Sequence, residues 1–456
     1  MKITFVVALW GEWYTDVFCS LMAKSMLADG NFPSIGNRAE ARLRIYCDAA
    51  TRASILAWTG IVALQTTIPV DFVLFKIDYR APISSHHQIW ADALVRARRE
   101  KGTVVFLAPD TIWSDGSVSR LIDVFSEGYA AAFFPGFRVA SDTFFDSTRA
   151  EFSDECAPIS LPGPELMRRA MENMHPLKSV FVRHSPAFPD HGENMLWPVG
   201  DEGYVLREAI THSLFAVNPS LIDVNNFTVP VHSSQIDRIY WASGSDDILF
   251  LSLGPVSRDI NWYEASGPIS AERLALKSLA WDSPLVSSLI RRRFRFHSGV
   301  RDEASWRAVE RASDLFTHRL LVSREVLRLI RAVDDAGCRR AAEVLTLALT
   351  ERSLSHAVTT NGPMTFFCPM KLPSLQSFVD YPGHKLRHLI LSHATSGRLE
   401  ITDLKRMGEF CNNTGCVVRV STEHGNEYIN GSRLIAANIS CGEHIIHLVD
   451  KMISSA

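Results

Sequence analysis

No apolar run in the sequence reaches the ~18 residues that a helix needs to cross a bilayer, so the chain offers no membrane-spanning segment of its own. It also lacks a Gly-x-Gly-x-x-Gly turn after its first strand, and a Gly-x-x-x-x-Gly-Lys-Ser/Thr loop anywhere. These are the backbone cradles on which dinucleotide oxidoreductases and phosphate-loop NTPases hold phosphate, and both classes are argued against. An excess of charge of one sign is missing too. Lys and Arg number 47 against 50 Asp and Glu, for a formal net charge of -3, which gives no global drive toward nucleic acid or an anionic membrane. The eight cysteines are scattered; Cys411 and Cys416 form the one close pair and have no second pair at zinc-site spacing, so reduced and mostly buried thiols are expected. Met1 to Val7 has neither the long apolar core nor the cleavage site of a signal peptide, and a cytoplasmic location is expected.

What is present is a chain of 456 residues, 46% hydrophobic and 21% charged, too long for one ordinary core, which sets an expectation of two or three domains. Its most informative stretch runs from Gly102 to Ser117. The unbroken apolar run Val104 to Ala108 reads as a strand buried on both faces, with Asp110 placed just beyond its carboxyl end. Ser114, Asp115 and Gly116 then supply helix-start chemistry for the helix that follows. Asp110 and Asp115 either hold a ligand or shape the turn.

The surrounding pattern favours a ligand edge. Lys2 to Leu9 reads as a strand ending at Trp10-Gly11, Leu43 to Cys47 as one ending at Asp48, and Val70 to Ile77 as one ending at Asp78. Helical spacing separates them, and Tyr129 to Phe134 is a fifth apolar run stopped by Pro135-Gly136. Alternating strands and helices predict an α/β fold with a mostly parallel sheet. Because parallel strands share a carboxyl edge, Trp10, Gly11, Asp48, Asp78 and Asp110 are expected along one crevice.

With those residues in place, residues 1–265 resemble a GT-A type nucleotide-sugar glycosyltransferase, a Rossmann-like fold in which the fourth strand ends in Asp-x-Asp. The matching segment is Ala108-Pro109-Asp110, so Asp110 stands where the second aspartate would be and Ala108 where the first would be. The resemblance implies a nucleoside-diphosphate sugar as donor, an unidentified glycan or protein as acceptor, and a divalent Mn or Mg ion at Asp110. It also implies His212 as a further metal ligand, with Asp115 as a substitute carboxylate. The segment Leu196 to Tyr204 with Thr211 to Pro219 resembles one in bacterial proteins of the same group. Asp201 and Glu202, adjacent and flanked by glycines, suit a loop close to a ligand, and one of them is expected to act as general base or acceptor anchor. Asp237 is expected as a secondary binding residue. Asp246 and Asp247 read as the opening of the strand Ile248 to Leu253, without a site role.

Residues 266–360 read as a helical region, including a helix from Val286 to Phe296 whose basic cluster Arg291 to His297 is expected to be a solvated face. Residues 361–456 read as a small α+β domain, with a strand at Leu386 to Leu391, a hairpin around His424-Gly425-Asn426, and a short helix at Ser432 to Asn438 opened by Asn430-Gly431. That order resembles a degenerate histidine-containing phosphocarrier protein. Ser432 matches its regulatory serine, and Glu400 stands where the phosphorylated histidine would be, so a protein partner docking through this module is implied rather than phosphotransfer. Two functions compete: a glycosyltransferase (hexosyltransferase type), or a non-catalytic binding or regulatory protein on a decayed glycosyltransferase scaffold.

Overall fold

A computed structural model describes residues 1–148, 150–189, 194–208, 216–224, 233–259, 270–278, 284–350, 362–379 and 381–453. The chain divides into two compact units, one of Met1–Ile269 with Trp281–Asp314, the other of Ser270–Ala280 with Leu315–Ala456. Helices of the expected 266–360 region are thus shared between the units.

In chain order the first unit's strands begin with β1 (Lys2–Ala8), β2 (Glu40–Cys47), β3 (Val70–Leu74), β4 (Thr103–Leu107), β5 (Thr111–Trp113), β6 (Ala131–Phe133) and β7 (Phe137–Ala140). They continue with β8 (Asn194–Val199), β9 (Gly203–Glu208), β10 (Ala216–Val217), β11 (Ile239–Trp241), β12 (Phe250–Gly254) and β13 (Phe294–His297). The central sheet has the order β11-β6-β10-β4-β1-β2-β3. It is mixed rather than simply parallel, because β10 runs antiparallel to both β4 and β6. The other six strands point the same way.

The apolar run of the central strand makes physical sense in this position. All of β4 is buried, and alternate side chains feed two cores: Phe5, Val7, Val105 and Leu107 enter one, while Val6, Ala8, Val104 and Phe106 enter the other. A strand covered on both faces must be apolar at odd and even positions alike. A second sheet, β5-β12-β7, lies beyond it in the chain. Trp113 there is fully buried against Phe250, with ring centroids 5.2 Å apart, and its indole N–H is satisfied by Thr111 Oγ1 at 3.0 Å. The third sheet, β13-β9-β8, is antiparallel throughout. The expected helix through Phe296 stops early: a helix covers Pro284–Arg291 and the chain then becomes β13. Phe294 and Phe296 alternate with Arg295, a period of two that buries both aromatics in the core.

The second unit is built on β14 (Met364–Lys371), β15 (Ala394–Ser396), β16 (Glu409–Cys411), β17 (Val417–Glu423), β18 (Asn426–Ile429), β19 (Ser432–Cys441) and β20 (His444–Lys451). Their order is β15-β14-β20-β19-β18-β17-β16, with β14 and β20 parallel and the other pairs antiparallel. Phe366, Ile446 and Leu448 face a core shared with the helices Arg339–Thr350 and Gly383–Ser392. Phe367, Val449, Leu404 and Val418 form the opposite core.

Two expectations about this unit are corrected. Leu386 to Leu391 is helical, because Leu386 and Ile390, four residues apart, are the pair that faces the core. Ser432 to Asn438 is strand, and Asn430-Gly431 is not a helix start: both residues have positive φ, 45° and 73°, and they form the two-residue turn that pairs Ile429 with Ser432. Asn-Gly is the commonest such hairpin turn.

Candidate functional site

The parallel register of β4, β1, β2 and β3 brings the expected strand-end residues to one sheet edge. Gly11 caps the helix Glu12–Val17 with φ of 84°, a value that favours glycine. Its carbonyl accepts from Thr15 N at 3.0 Å and from Thr15 Oγ1 at 2.8 Å. Trp10 packs edge-on against His86, with ring centroids 6.1 Å apart, and His86 continues onto Trp90 at 4.7 Å. Burial, with the charge of His87 adding to it, pushes His86 down to about 4, so this ring is neutral at physiological pH.

Asp48 caps the helix Ala49–Ala57, accepting from Thr51 N at 2.7 Å, and its other oxygen accepts from the hydroxyl of Tyr79. Partial burial raises its pKa, but the Tyr79 hydroxyl and the Thr51 and Ala50 amides outweigh burial and hold it below the usual aspartate value. Asp78 is exposed and turns the chain by accepting from Arg80 N at 2.9 Å. Asp110 is half-buried, and its carbonyl accepts from Leu253 N at 2.7 Å, tying the turn after β4 to β12.

Asp115 does not serve as the substitute carboxylate. It accepts from Gly30 N at 2.7 Å and from the hydroxyl of Ser160, so both oxygens brace the loop. His212 lies outside the described residues. Among the described residues no group of three or more His, Cys, Asp or Glu side chains suits a metal ion, and Ala108 stands where the resemblance would place the first acid. Mg and Mn bind with one or two carboxylates only when phosphates and water complete the shell.

Asp201 and Glu202 occupy the turn between β8 and β9 and have different employments. Asp201 is exposed and pairs with Arg301 at 2.8 Å. Glu202 is buried, and its carboxylate accepts from the amides of Arg301 (2.8 Å) and Asp302 (3.2 Å) and from Trp306 Nε1 (3.0 Å), anchoring the start of the helix Glu303–Asp335. The Arg301 amide and the Trp306 indole hold its pKa below the ordinary glutamate value. A carboxylate whose lone pairs already serve three N–H donors is a structural anchor and a poor proton acceptor. Asp237 is exposed on the 3-10 turn Ser233–Arg238.

The richest polar arrangement lies at residues the sequence did not single out. A cleft of about 670 Å³ follows the carboxyl end of β11, lined by Tyr240, Asp246, Asp247, Arg120, Arg295 and His297 among others. Its volume falls within the range of small-molecule sites, about 300–1,000 Å³. β11 is a terminal strand of the central sheet and runs in the same direction as β1, β2 and β4. Arg120 Nε is 3.1 Å from Asp247 Oδ1, and Tyr240 Oη donates to Asp247 Oδ2 at 2.5 Å. Burial and the Asp247 charge push Tyr240 up to about 12. Arg295 is clamped between Glu310 (2.8 Å) and Glu303 (2.9 Å), whereas Arg291, Arg292 and Arg293 of the same cluster are exposed.

His297 is buried. Its Nε2 lies 3.1 Å from Asp246 Oδ2, while its buried Nδ1 meets no hydrogen-bond partner among the described residues. Burial lowers its pKa against the opposing pull of Asp246, so the neutral ring donates Nε2–H to the carboxylate. The loop carrying Asp246 is rigidly held: Ser245 N donates to Arg295 O at 2.9 Å, and Ser245 Oγ accepts from His297 N at 3.0 Å. The signal for this loop was Gly244-Ser245-Asp246-Asp247, small residues flanking paired acids as in Gly-Asp-Glu-Gly. Its partner lies more than fifty residues away in the chain.

Residues 341–455 match the Fasciclin domain, which replaces the phosphocarrier resemblance for the C-terminal part. A protein of Plasmodium falciparum (isolate 3D7) described as a heme ligase is 26% identical over 160 residues, covering 29% of this chain and 77% of that protein. Among solved structures, S. aureus TarS aligns with a TM-score of 0.27 and 9% identity over 98% of this chain and 60% of that one. A FAS1 domain pair from the insect cell adhesion molecule Fasciclin I aligns at 0.20 and 10% identity over 80% and 96%. At these scores no residue of this chain is matched to one of theirs. No helix among the described residues is long and apolar enough to cross a membrane.

Proposed function

We propose that the first unit is a glycosyltransferase-like enzyme that takes a nucleoside-diphosphate sugar along the carboxyl edge of its central sheet. The observation that carries this reading is the common direction of β1, β2, β4 and β11. It puts Trp10, Asp48 and Asp110 along one edge of the sheet, and open α/β sheets bind ligands at that edge. In this reading Trp10 and Asp48 face the nucleoside, and Asp110 lies toward the diphosphate. Were a divalent ion carried in with the donor, Asp110 would be the residue to hold it, the nucleotide's own oxygens would supply most of its shell, and it would offset charge on the leaving diphosphate. The test is thermal unfolding with a panel of nucleoside diphosphates and nucleotide sugars, with and without Mg or Mn. A ligand that binds the folded state alone at about 100 times its Kd adds about 2.7 kcal/mol of stability, and Asp48→Ala should remove most of that gain. No stabilisation by any member of the panel would sink the proposal.

A second reading is favoured by one observation. Ala108 stands where the family's first aspartate would be, and both carboxylate oxygens of Asp115 accept from Gly30 and Ser160, which suits a scaffold that binds nucleotide sugar without transferring it. Donor binding without release of nucleoside diphosphate, to water or to any acceptor, would select it. We further propose that the part matching the Fasciclin domain docks a protein partner; a pull-down that recovers the same partner with the full chain and with a chain truncated before residue 341 would refute this.

A further inference from the structure

We infer that the second unit carries an acid-sensitive latch made of His393, His444 and His447. Each ring, in its neutral form, accepts a hydrogen bond from a main-chain N–H, and protonation of the three rings opens the sheet they hold.

The donors fix the protonation state. Ile453 N donates to His393 Nε2 at 3.0 Å, Met364 N to His444 Nδ1 at 3.1 Å, and Asn438 N to His447 Nδ1 at 3.3 Å. A main-chain N–H has no lone pair to offer, so the ring nitrogen that faces it must be unprotonated. For two of the rings the second nitrogen is fixed as well. His393 Nδ1 lies 3.0 Å from Leu389 O, and His447 Nε2 lies 3.0 Å from Leu399 O. A carbonyl only accepts, so these are opposite neutral tautomers, each dictated by its neighbours. All three residues are buried, and a main-chain bond lost there is not made good by solvent.

The three bonds sit at joints of the sheet. Met364 opens β14, which pairs parallel to β20. Asn438 has φ of 60° and lies where the pairing of β19 with β20 shifts register between Ala436 and Ile439. Its Oδ1 accepts from Ile401 N at 2.9 Å, so the same residue also holds the start of the helix Ile401–Met407. Ile453 follows β20 and packs with Phe367 and Leu404. A proton on any of these rings sets N–H against N–H and leaves a charge in an apolar surround.

The groups around each ring do not rescue that charge. His393 shares a small apolar cavity with Leu345, Phe366 and Cys368, whose thiol burial keeps neutral. His444 packs edge-on against Phe366 at 5.7 Å between centroids; burial disfavours its charge, Glu325 and Glu443 favour it, and Arg398 opposes it. His447 stacks on Phe367 at 5.7 Å, with Glu400 as its charged neighbour. At all three rings burial is the largest influence and holds the pKa below the ordinary 6.5.

Each ring therefore binds its proton more weakly in the closed sheet than in an open one, and opening takes up protons. The closed form is fully favoured above pH 6.5 and loses ground as pH falls below that value toward the lowered folded ones. One ring contributes up to about tenfold per pH unit to the opening constant, and three together up to about 10³-fold.

The experiment is hydrogen exchange of the full chain between pH 7.5 and pH 5, corrected for the intrinsic pH dependence of amide exchange. In the wild-type protein, opening of β14, β19 and β20 should rise below pH 6.5 by more than tenfold per unit, the limit for a single ring. A variant combining His393→Gln, His444→Asn and His447→Asn keeps an amide in place of each ring and has nothing to protonate there, so its corrected exchange should be flat over the same range. Nitrogen NMR shifts of the wild-type histidines give a reading that needs no variant: His393 should be the Nδ1–H tautomer, His447 the Nε2–H tautomer, and both should stay neutral at pH 6. Equal corrected exchange of these strands at both ends of the range overturns the inference. So does a triple variant that folds and stays as acid-sensitive as the wild type, or a set of rings that ionise at pH 6.5 while the strands remain protected.

Discussion

The indole N–H of Trp306 donates to Glu202 across 104 residues of sequence at 3.0 Å, and two backbone amides share the same carboxylate. Removing that acceptor strands three donors at the head of the helix Glu303–Asp335. Glu202→Ala should therefore lower the unfolding temperature clearly more than Asp201→Asn, whose carboxylate is open to solvent. Differential scanning calorimetry of the two variants checks the order. Equal losses would mean that Glu202 is not an anchor.

The same carboxylate has a pH signature. Its folded pKa lies below the ordinary 4.5, so folding favours the ionised form. The stabilisation is complete above 4.5 and fades as pH falls through the lower folded value. Thermal unfolding followed from pH 6 to pH 3 should show a falling wild-type Tm, and the component due to this group should be absent in Glu202→Gln.

Gly203 sits beside it with φ of 147°, and a Cβ there would lie 1.9 Å from Phe296 O. Gly203→Ala must push apart the pairing of β9 with β13. The backbone strain alone costs about 1–3 kcal/mol, to which the clash adds. Gly200→Ala, also at positive φ but with open space around it, should cost about 1 kcal/mol. Urea unfolding of the pair measures the difference, and similar midpoints would contradict the pairing described.

Arg207 is buried, and its guanidinium meets Ser313, the carboxylate of Asp314 and the carbonyls of Arg291 and Arg292. Arg207→Ala removes the donor from Ser313 and the two carbonyls, while Asp314, half exposed, keeps Arg293 nearby, at a cost of about 1–3 kcal/mol. Arg207→Lys should recover only part of it, since an ammonium lacks the planar fork that reaches several acceptors. Full recovery by lysine would argue that charge alone matters.

Thiol chemistry gives a further check. Cys156 and Cys411 are exposed, whereas Cys47, Cys338, Cys368 and Cys441 are buried, and burial raises the pKa of each of those four. A thiol reagent at neutral pH should label Cys156 and Cys411 quickly and the buried four only after unfolding. Prompt native labelling of Cys368 would contradict the packing of the second unit.

The sequence announced the parts of the fold that local rules govern. β4 was legible because a strand buried on both faces is apolar at every position, whereas Asp48, read for a ligand edge, caps the helix that follows it. The hairpin at His424-Gly425 was legible from its turn residues. Asn430-Gly431 was misread, since the same pair opens a helix cap or closes a hairpin, and the strand partner that decides lies outside the pair. The site was less legible for a similar reason. Asp246 looks like any acid before a strand until His297 is set beside it, and His297 ends a basic cluster in which Arg293 and Arg295 pair with Glu303 and Glu310 farther along the chain.

The reversed strand β10 has a consequence for biogenesis. Two residues, Ala216 and Val217, are the bridge between β4 and β6. During synthesis the ladder edges of residues 103–107 and 131–133 must therefore wait for more than eighty further residues before they can be sealed. A nascent chain paused in that interval exposes apolar strand borders open to illicit pairing, which makes this the stage at which a chaperone would matter most.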